Sequence, residues 1–279
     1  MTISAADLKD ALTAVRETVP LVHCITNYVT VNDCANALLA CGGSPIMSDE
    51  PEDVADITSI CGGLVLNIGT LNQHSIEGMR VAGKRAAELE HVIVLDPVGA
   101  GASALRTATA SELIDTLPIT VIRGNMSEVK AVAGAASSTR GVDVNPDDVV
   151  TDENLAESAA FARELAAKLD AIVAITGAID IVASADRAVA IRNGVALMGK
   201  MTGAGCALSC LVGAYVTANP ASRLEAVVAA IAGEGLAGQI AASRMGELDG
   251  NGSFRTYLLD AICNMTAEQL AAGALVEEL

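Results

Sequence analysis

Between Leu64 and Ile175, short uninterrupted apolar runs alternate with longer stretches of helical periodicity. This rhythm narrows the possible fold more than any other feature of the chain. Leu64 to Ile68, Val92 to Asp96, Ile119 to Arg123 and Ala171 to Ile175 read as strands. Leu71 to Leu89, Ser103 to Leu117, Asn125 to Ala133 and Glu153 to Leu169 read as helices. A strand apolar at every position has no polar face to give to water, so it must be covered on both sides. Strands of that kind joined by helices form a mainly parallel central sheet with helices on both faces, an α/β class.

The flanking segments extend the pattern. Ser4 to Thr18 predicts a helix, with Ser4 as N-cap and Asp7 at the capping-box position. Leu21 to Ile25 is a short apolar run. Asn27 to Ala40 predicts a helix stopped at Gly42-Gly43, and Ser44 to Met47 an extended segment. Pro51 to Ile60 predicts a helix with Pro at its first position. Ser137 to Asn145 reads as a polar loop. Asp180 to Asn193 reads as a hairpin turning near Asp186-Arg187, which adds one or two antiparallel edge strands. Three further helical stretches follow: Cys206 to Ala218, Ala221 to Met245 and Ser253 to Ala271. No repeat, low-complexity tract or linker divides residues 1–279, so one domain is expected.

Composition limits the partners. The chain has 52% hydrophobic residues but only 2% aromatic ones and no Trp, so its core must be made of Ala, Val, Ile and Leu with closely packed helices. A net charge of −17, with no basic patch, argues against nucleic acid and against an anionic membrane surface. An anionic substrate would need local compensation from an arginine, backbone N–H groups or a metal ion. The seven cysteines are odd in number and make no C-x-x-C pair, which fits reduced, mostly buried thiols of a cytoplasmic protein. Asp7, Lys9 and Asp10 interrupt the opening residues before any apolar run, so no secretory signal is expected, and Gly and Glu break the longest apolar windows, so no membrane span is expected.

The segment Thr202-Gly203-Ala204-Gly205-Cys206 runs into an apolar, alanine-rich helical stretch. Two close glycines let the backbone approach a ligand, and the helix start adds free N–H groups and the positive end of its dipole. Such a place holds an anion, most often phosphate. Cys206 falls in the first helical turn, with its thiol facing the same hole. Taken alone, the segment reads more readily as a glycine turn capping a buried helix with an inert core cysteine.

The strand exits decide between these readings, because open α/β sheets bind ligands beyond the carboxyl ends of their strands. The exits carry Asn27, Met47-Ser48-Asp49, Asn67-Ile68-Gly69-Thr70, Asp96-Pro97-Val98-Gly99, Arg123-Gly124-Asn125 and Thr176-Gly177. Each could be ordinary turn chemistry. Together, on one edge with the glycine loop, they describe a phosphate-handling site. Asn125-Met126-Ser127-Glu128 is a good N-cap with Glu at N3, and the same Glu, with Asp96 on the next strand, could hold a hydrated Mg²⁺. Arg123 could bridge phosphate oxygens or simply form a surface ion pair. His23 reads as a buried, satisfied histidine; His74 and His91 read as solvated.

Two glycine patterns mislead. Gly194 to Met201 approaches a Walker A loop but ends in Met201 where the metal-binding Ser or Thr belongs. Gly99 to Ala104 fits a loose G-x-G-x-x-A fingerprint, but Pro97 follows Asp96 directly and the next strand exits in Arg123, with no acid for a ribose.

Val22 to Thr30, Gly43 to Met47, Leu66 to Leu71, Leu95 to Ala100, Arg123 to Glu128 and Thr202 to Cys206 resemble, in order, the hydroxyethylthiazole kinases of the ribokinase-like superfamily, and the match continues through Gly252-Ser253-Phe254. The resemblance implies a ribokinase-like three-layer fold. It also implies ATP- and Mg²⁺-dependent phosphorylation of the hydroxyl of 4-methyl-5-(2-hydroxyethyl)thiazole, a thiamine salvage step. By position it places the thiazole pocket on Asn27, Met47 and Gly203. Nucleotide-phosphate contacts fall on Arg123, Thr176 and Thr202, with Gly205 keeping the loop open to phosphate, and the metal-linked acids are Asp96 and Glu128. Cys206 stands where the wider superfamily usually has an Asp base. The resemblance further implies a homotrimer with pockets between subunits. Asn251 departs from the Pro that often precedes Gly-Ser-Phe, with a local loop effect expected. The rival reading is a lyase on the same fold, an NAD(P)H-hydrate dehydratase; Ile25 to Tyr28, Pro45 to Met47 and Cys206 in place of Asp favour the kinase.

Overall fold

The computed structural model describes residues 2–134 and 148–279. The expected polar loop at Ser137 to Asn145 lies outside the described residues. The strands are β1 (Leu21–Ile25), β2 (Ser44–Met47), β3 (Gly63–Asn67), β4 (Val92–Asp96), β5 (Val121–Gly124), β6 (Ile172–Ile175), β7 (Asp180–Ala183), β8 (Ala188–Ile191) and β9 (Val276–Glu278). They form one nine-stranded sheet in the order β2-β1-β3-β4-β5-β6-β7-β8-β9. From β2 to β6 all pairings are parallel, and from β6 to β9 all are antiparallel. The chain leaves β1 toward β2 on one side and then returns to β3 on the other, which opens a crevice beyond the carboxyl ends of β1 and β3.

The helices are α1 (Ala5–Thr18), α2 (Val31–Cys41), α3 (Val54–Ile60), α4 (Gln73–Glu88), α5 (Ala104–Thr116), α6 (Met126–Val132), α7 (Leu155–Leu169), α8 (Ala204–Ala218), α9 (Arg223–Ser243), α10 (Asn251–Asn264) and α11 (Ala267–Gly273). Side chains alternate across the strands, as their period of two requires. Val22, Cys24, Val65 and Val94 face a core filled by α1, α2, α8, α9 and α10. Ile25, Leu64, Leu66, Ile93 and Leu95 face the other way, against α3, α4 and α5. α7 closes that second face over β6, β7 and β8. The three-layer expectation therefore holds, with helices on both faces. α9 is long and apolar enough to cross a membrane by length and composition, but most of its apolar window is buried inside this core.

Several boundaries differ from expectation. α2 starts at Val31, not Asn27, because the Asn27 side chain is engaged with Thr30, Asn67 and Cys206 and its carbonyl closes a turn to the Thr30 N–H. α3 starts at Val54; Pro51 sits in a preceding turn in which the Asp53 and Val54 N–H groups both bond to the Glu50 carbonyl. The last helical stretch is two helices, parted where Thr266 and Gln269 make a reciprocal capping box for α11. The antiparallel part holds a third strand, β9, paired with β8. His23 is fully buried and satisfied, with Nε2 donating to the Ser48 carbonyl and Nδ1 facing the Thr58 hydroxyl, both at 2.9 Å. His74 pairs with Glu50 on the surface, whereas His91 is half-buried with an unpartnered Nδ1.

Candidate active site

Beyond the carboxyl edge of the sheet, the glycine loop meets the strand exits. Gly203 caps α8 with φ of +88°, and a Cβ there would stand 2.5 Å from Thr30 Cγ2, so the loop needs glycine on both counts. Thr30 is held in turn by its hydroxyl donating to Asn27 Oδ1 at 3.1 Å. Gly205 lies in the first turn of α8, and a Cβ on it would stand 2.8 Å from Arg123 Nη1. The guanidinium of Arg123 thus rests against the helix N-terminus, and the two positive ends share one place. Arg123 also donates through Nη2 to the Thr176 hydroxyl at 2.5 Å, and its Nη1 lies 3.8 Å from Asp96 Oδ2. Burial by itself would lower the Arg123 pKa; the Asp96, Glu128 and Glu234 carboxyls outweigh it and hold it above its ordinary value.

Asp96 ends β4 and is 0% exposed. Its Oδ2 accepts from Asn67 Nδ2 at 2.7 Å and from the Ser209 hydroxyl at 2.8 Å, while its Oδ1 is buried without a partner. Burial pushes its pKa up to about 6 against the opposing pull of Arg123. Glu128 completes a capping box for α6, with Oε2 accepting the Asn125 N–H at 2.9 Å. Its Oε1 accepts the Gly99 N–H at 2.8 Å, which ties the loop after β4 to α6. Gly99 therefore serves to join the Asp96 loop to Glu128.

Cys206 is half-buried, and its sulfur accepts from Asn27 Nδ2 at 3.1 Å. Burial, then the charge of Asp96, pushes its pKa up to about 11. The same Asn27 amide reaches Asn67 Oδ1 at 3.1 Å, so the exits of β1 and β3 and the start of α8 are bound together at the crevice.

Two cavities open on either side of this cluster. The smaller, about 180 Å³, is lined by Cys24, Thr26, Met47, Asn67 and Met79, with Tyr28 and Val31 also lining it. The larger, about 610 Å³, is a groove lined by Arg123, Thr176, Gly205, Asp180 and Glu234. Its wall includes Gly194 to Gly199, so the Walker-like segment borders the groove as a 3-10 turn at Ala196–Lys200. Of the residues expected from sequence, Met47 faces the smaller cavity, and Arg123, Thr176 and Gly205 face the larger. Asn27, Asp96 and Cys206 are joined to these by hydrogen bonds or short contacts. Thr202 and Gly203 line neither cavity, and Thr202 is exposed.

Sequence reading missed Thr30, Ser209, Asp180 and Glu234. A polar residue inside an otherwise apolar helix was the available signal for Ser209, one turn beyond Gly205, and for Glu234 in the middle of α9. Asn251, expected to act only locally, donates from Nδ2 to the Lys200 carbonyl at 3.2 Å and so ties the start of α10 to the glycine loop. Among the described residues no group of three or more His, Cys, Asp or Glu side chains could hold a metal by itself.

The chain has relatives among known proteins. A protein of Clostridium acetobutylicum named hydroxyethylthiazole kinase is 50% identical over 270 residues, covering 97% of this chain and 99% of its own. A protein of the same name from Desulfovibrio desulfuricans is 45% identical, covering 97% of this chain and 98% of its own. The solved structure of the hydroxyethylthiazole kinase protein from Pyrococcus horikoshii superposes with a TM-score of 0.86 at 34% identity, covering 98% of both chains. Pyridoxal kinase from Staphylococcus aureus shares the fold alone, with a TM-score of 0.59 at 14% identity. The lyase alternative finds no support among these relatives. The model of the hydroxyethylthiazole kinase family matches residues 12–268, and the chain belongs to that family.

Proposed function

We propose that the chain transfers the γ-phosphoryl group of ATP to the primary hydroxyl of 4-methyl-5-(2-hydroxyethyl)thiazole, a salvage step toward thiamine. The observation that carries this reading is the Arg123–Asp96–Cys206 cluster at the glycine loop, between a small cavity and a groove. The small cavity, with Met47 and Cys24 beside Asn67, suits a compact, weakly polar heterocycle. The groove, with Arg123, Thr176 and the first turn of α8 at one end, suits a triphosphate and its nucleoside.

In the transfer, the thiazole hydroxyl oxygen bonds to the γ-phosphorus as the bond to the β,γ-bridging oxygen breaks, and ADP leaves. The transition state is loose, so positioning and charge neutralisation carry most of the catalysis. Arg123 and the N–H groups of the α8 first turn meet the charge on the transferring oxygens. The proton leaves the hydroxyl late, which asks little of a base. A thiol with its pKa near 11 is protonated at neutral pH, so Cys206 serves more to orient the hydroxyl than to deprotonate it.

The residues fit a nucleotide-borne Mg²⁺. Asp96 keeps one buried oxygen free of any partner, and Glu128, with both oxygens accepting backbone N–H groups, is suited to holding metal-bound waters. Bound there, Mg²⁺ would neutralise charge on the phosphate oxygens. We also infer a homotrimer with pockets completed between subunits, supported by Tyr28 and Val31, exposed residues that line the smaller cavity, and by the exposed Val29 between them in sequence. All seven cysteines are free, in keeping with a reducing, cytoplasmic setting. Phosphorus NMR of a reaction with MgATP and the thiazole alcohol tests the transfer: a new phosphomonoester signal is expected, and ATP consumed without one overturns it.

A further inference from the structure

α9 is built mostly of Ala, Val, Ile, Leu and Gly, yet it carries Glu234 in its buried middle at 4% exposure. This carboxyl lines the groove together with Arg123 and Asp180. Its Oε1 has no hydrogen-bond partner, and neither has the buried Nε of Arg123. An acid taken out of water without a donor is costly to folding, and an alanine would fill a helix interior at no such cost. The groove thus holds an open acceptor and an open donor, on the residue that meets phosphate and on an acid within its electrostatic reach.

We propose that Glu234 is a positioning residue for Arg123 and sets how much of the guanidinium charge is available to a nucleotide phosphate in the groove; this rests on the nucleotide reading given above. While neutral, the acid leaves the Arg123 charge to Thr176, Asp96 and the ligand. Once ionised, it draws on that charge and adds a negative charge to a groove that must accept phosphates. Burial, opposed by Arg123 and reinforced by Asp180, pushes the Glu234 pKa up to about 8, so the change of state falls on the alkaline side of neutrality.

The charged and titratable groups lining the hollows beside Glu234 are Arg123 from β5, Asp180 from β7, Arg192 just after β8, Tyr215 from α8 and Cys41 from α2, while α1 and α10 contribute Leu12 and Ile262. Burial pushes Asp180 up to about 7 and Cys41 up to about 11, and moves Tyr215 upward as well. Glu234 is therefore the group in this set whose charge changes between the ranges of Asp180 and Cys41.

The test is ADP binding to the full chain by titration calorimetry from about pH 7.5 to about pH 9.5. A bound phosphate raises the Glu234 pKa further, so wild-type affinity weakens by up to about tenfold for each unit of that rise. Glu234→Gln cannot ionise, and its affinity stays flat across the alkaline range. A side chain that only fills space would shift affinity equally at every pH. Wild-type affinity that holds to the top of the range overturns the inference, as does a Glu234→Gln variant that keeps the alkaline loss. Arg123→Ala separates the two levels: if it has lost ADP binding while Glu234→Gln still weakens with pH, this inference alone fails. If Arg123→Ala binds ADP as the wild type does, the nucleotide reading of the groove fails and this inference with it.

Discussion

Asn27 donates a side-chain N–H to the Cys206 sulfur across 3.1 Å, joining residues 179 positions apart. The sulfur acts there as an acceptor, and its own proton is held tightly, since burial and the Asp96 charge push the thiol up to about 11. Cys206→Ser should therefore keep turnover within about tenfold of wild type, where removal of a true general base costs about 10²–10⁴. Cys206→Asp should also remain active, because a carboxylate can accept the proton. Steady-state rates at saturating thiazole alcohol and MgATP decide this, and a dead serine variant would return Cys206 to the role of an obligatory base.

Gly205 should tolerate even less. A Cβ at this position would stand 2.8 Å from Arg123 Nη1 and 2.9 Å from Nη2. Gly205→Ala must displace the guanidinium from the helix N-terminus, and loss of one such preorganised donor costs about 10²–10³ in turnover. Its KM for ATP should rise while its KM for the thiazole alcohol stays near wild type. An alanine variant with a normal KM for ATP would show that Arg123 does not need this seat.

Asp96 is retained at the expense of stability. Its folded pKa of about 6 lies above the ordinary 3.8 because burial disfavours the charge. Stability from such a raised group is fully present below the unfolded value and is lost as pH rises through the folded one, so it declines between about pH 4 and pH 6. In nucleotide- and metal-free buffer at pH 7.5, Asp96→Asn should be more stable by up to about 3 kcal/mol, and it should have lost turnover. Glu128→Ala should do the opposite to stability, losing about 1 kcal/mol with the α6 cap and the Gly99 tie, and should need more Mg²⁺ for its residual turnover. Urea titrations with Mg²⁺-dependent rates check both; an Asp96→Asn variant less stable than wild type, or unchanged Mg²⁺ dependence in Glu128→Ala, would contradict the assignments.

The parallel half of the sheet was legible because β1, β3, β4, β5 and β6 are short, mainly apolar runs, and the strand exits could be named from them. The site was less legible where residues serve each other across the sequence. Asn27 has good N-terminal helix chemistry, yet its side chain bridges Asn67 and Cys206, so α2 begins only at Val31. The Thr266–Gln269 capping box was present as a local signal and parts α10 from α11. β9 carried no such signal: Val276–Glu278 is short and acidic, and its pairing depends on β8 and on Glu278 accepting from Arg187 at 2.8 Å. Glu234 was hidden because an acid in the middle of an apolar helix reads as a break in hydropathy until the fold sets it in the groove with Arg123.

The proposed trimer would cover the exposed residues beside the smaller cavity. Tyr28 is 77% exposed and Val29 56%, which a free monomer would leave in water beside its own pocket. Light scattering at assay concentration should give three copies, and Tyr28→Glu should both dissociate them and raise the KM for the thiazole alcohol. A fully active monomer would remove the shared pocket.

The central claim is that the small cavity and the groove serve one transfer, from ATP to the thiazole alcohol. Its most direct test is ADP release followed by a coupled assay, with the thiazole alcohol set against a panel of small primary alcohols and pyridoxal, for wild type and Arg123→Ala. ADP release should saturate with the thiazole alcohol, be at least about tenfold less efficient with every other acceptor, and be lost in Arg123→Ala. Equal ADP release with all acceptors, or with none, would contradict that claim.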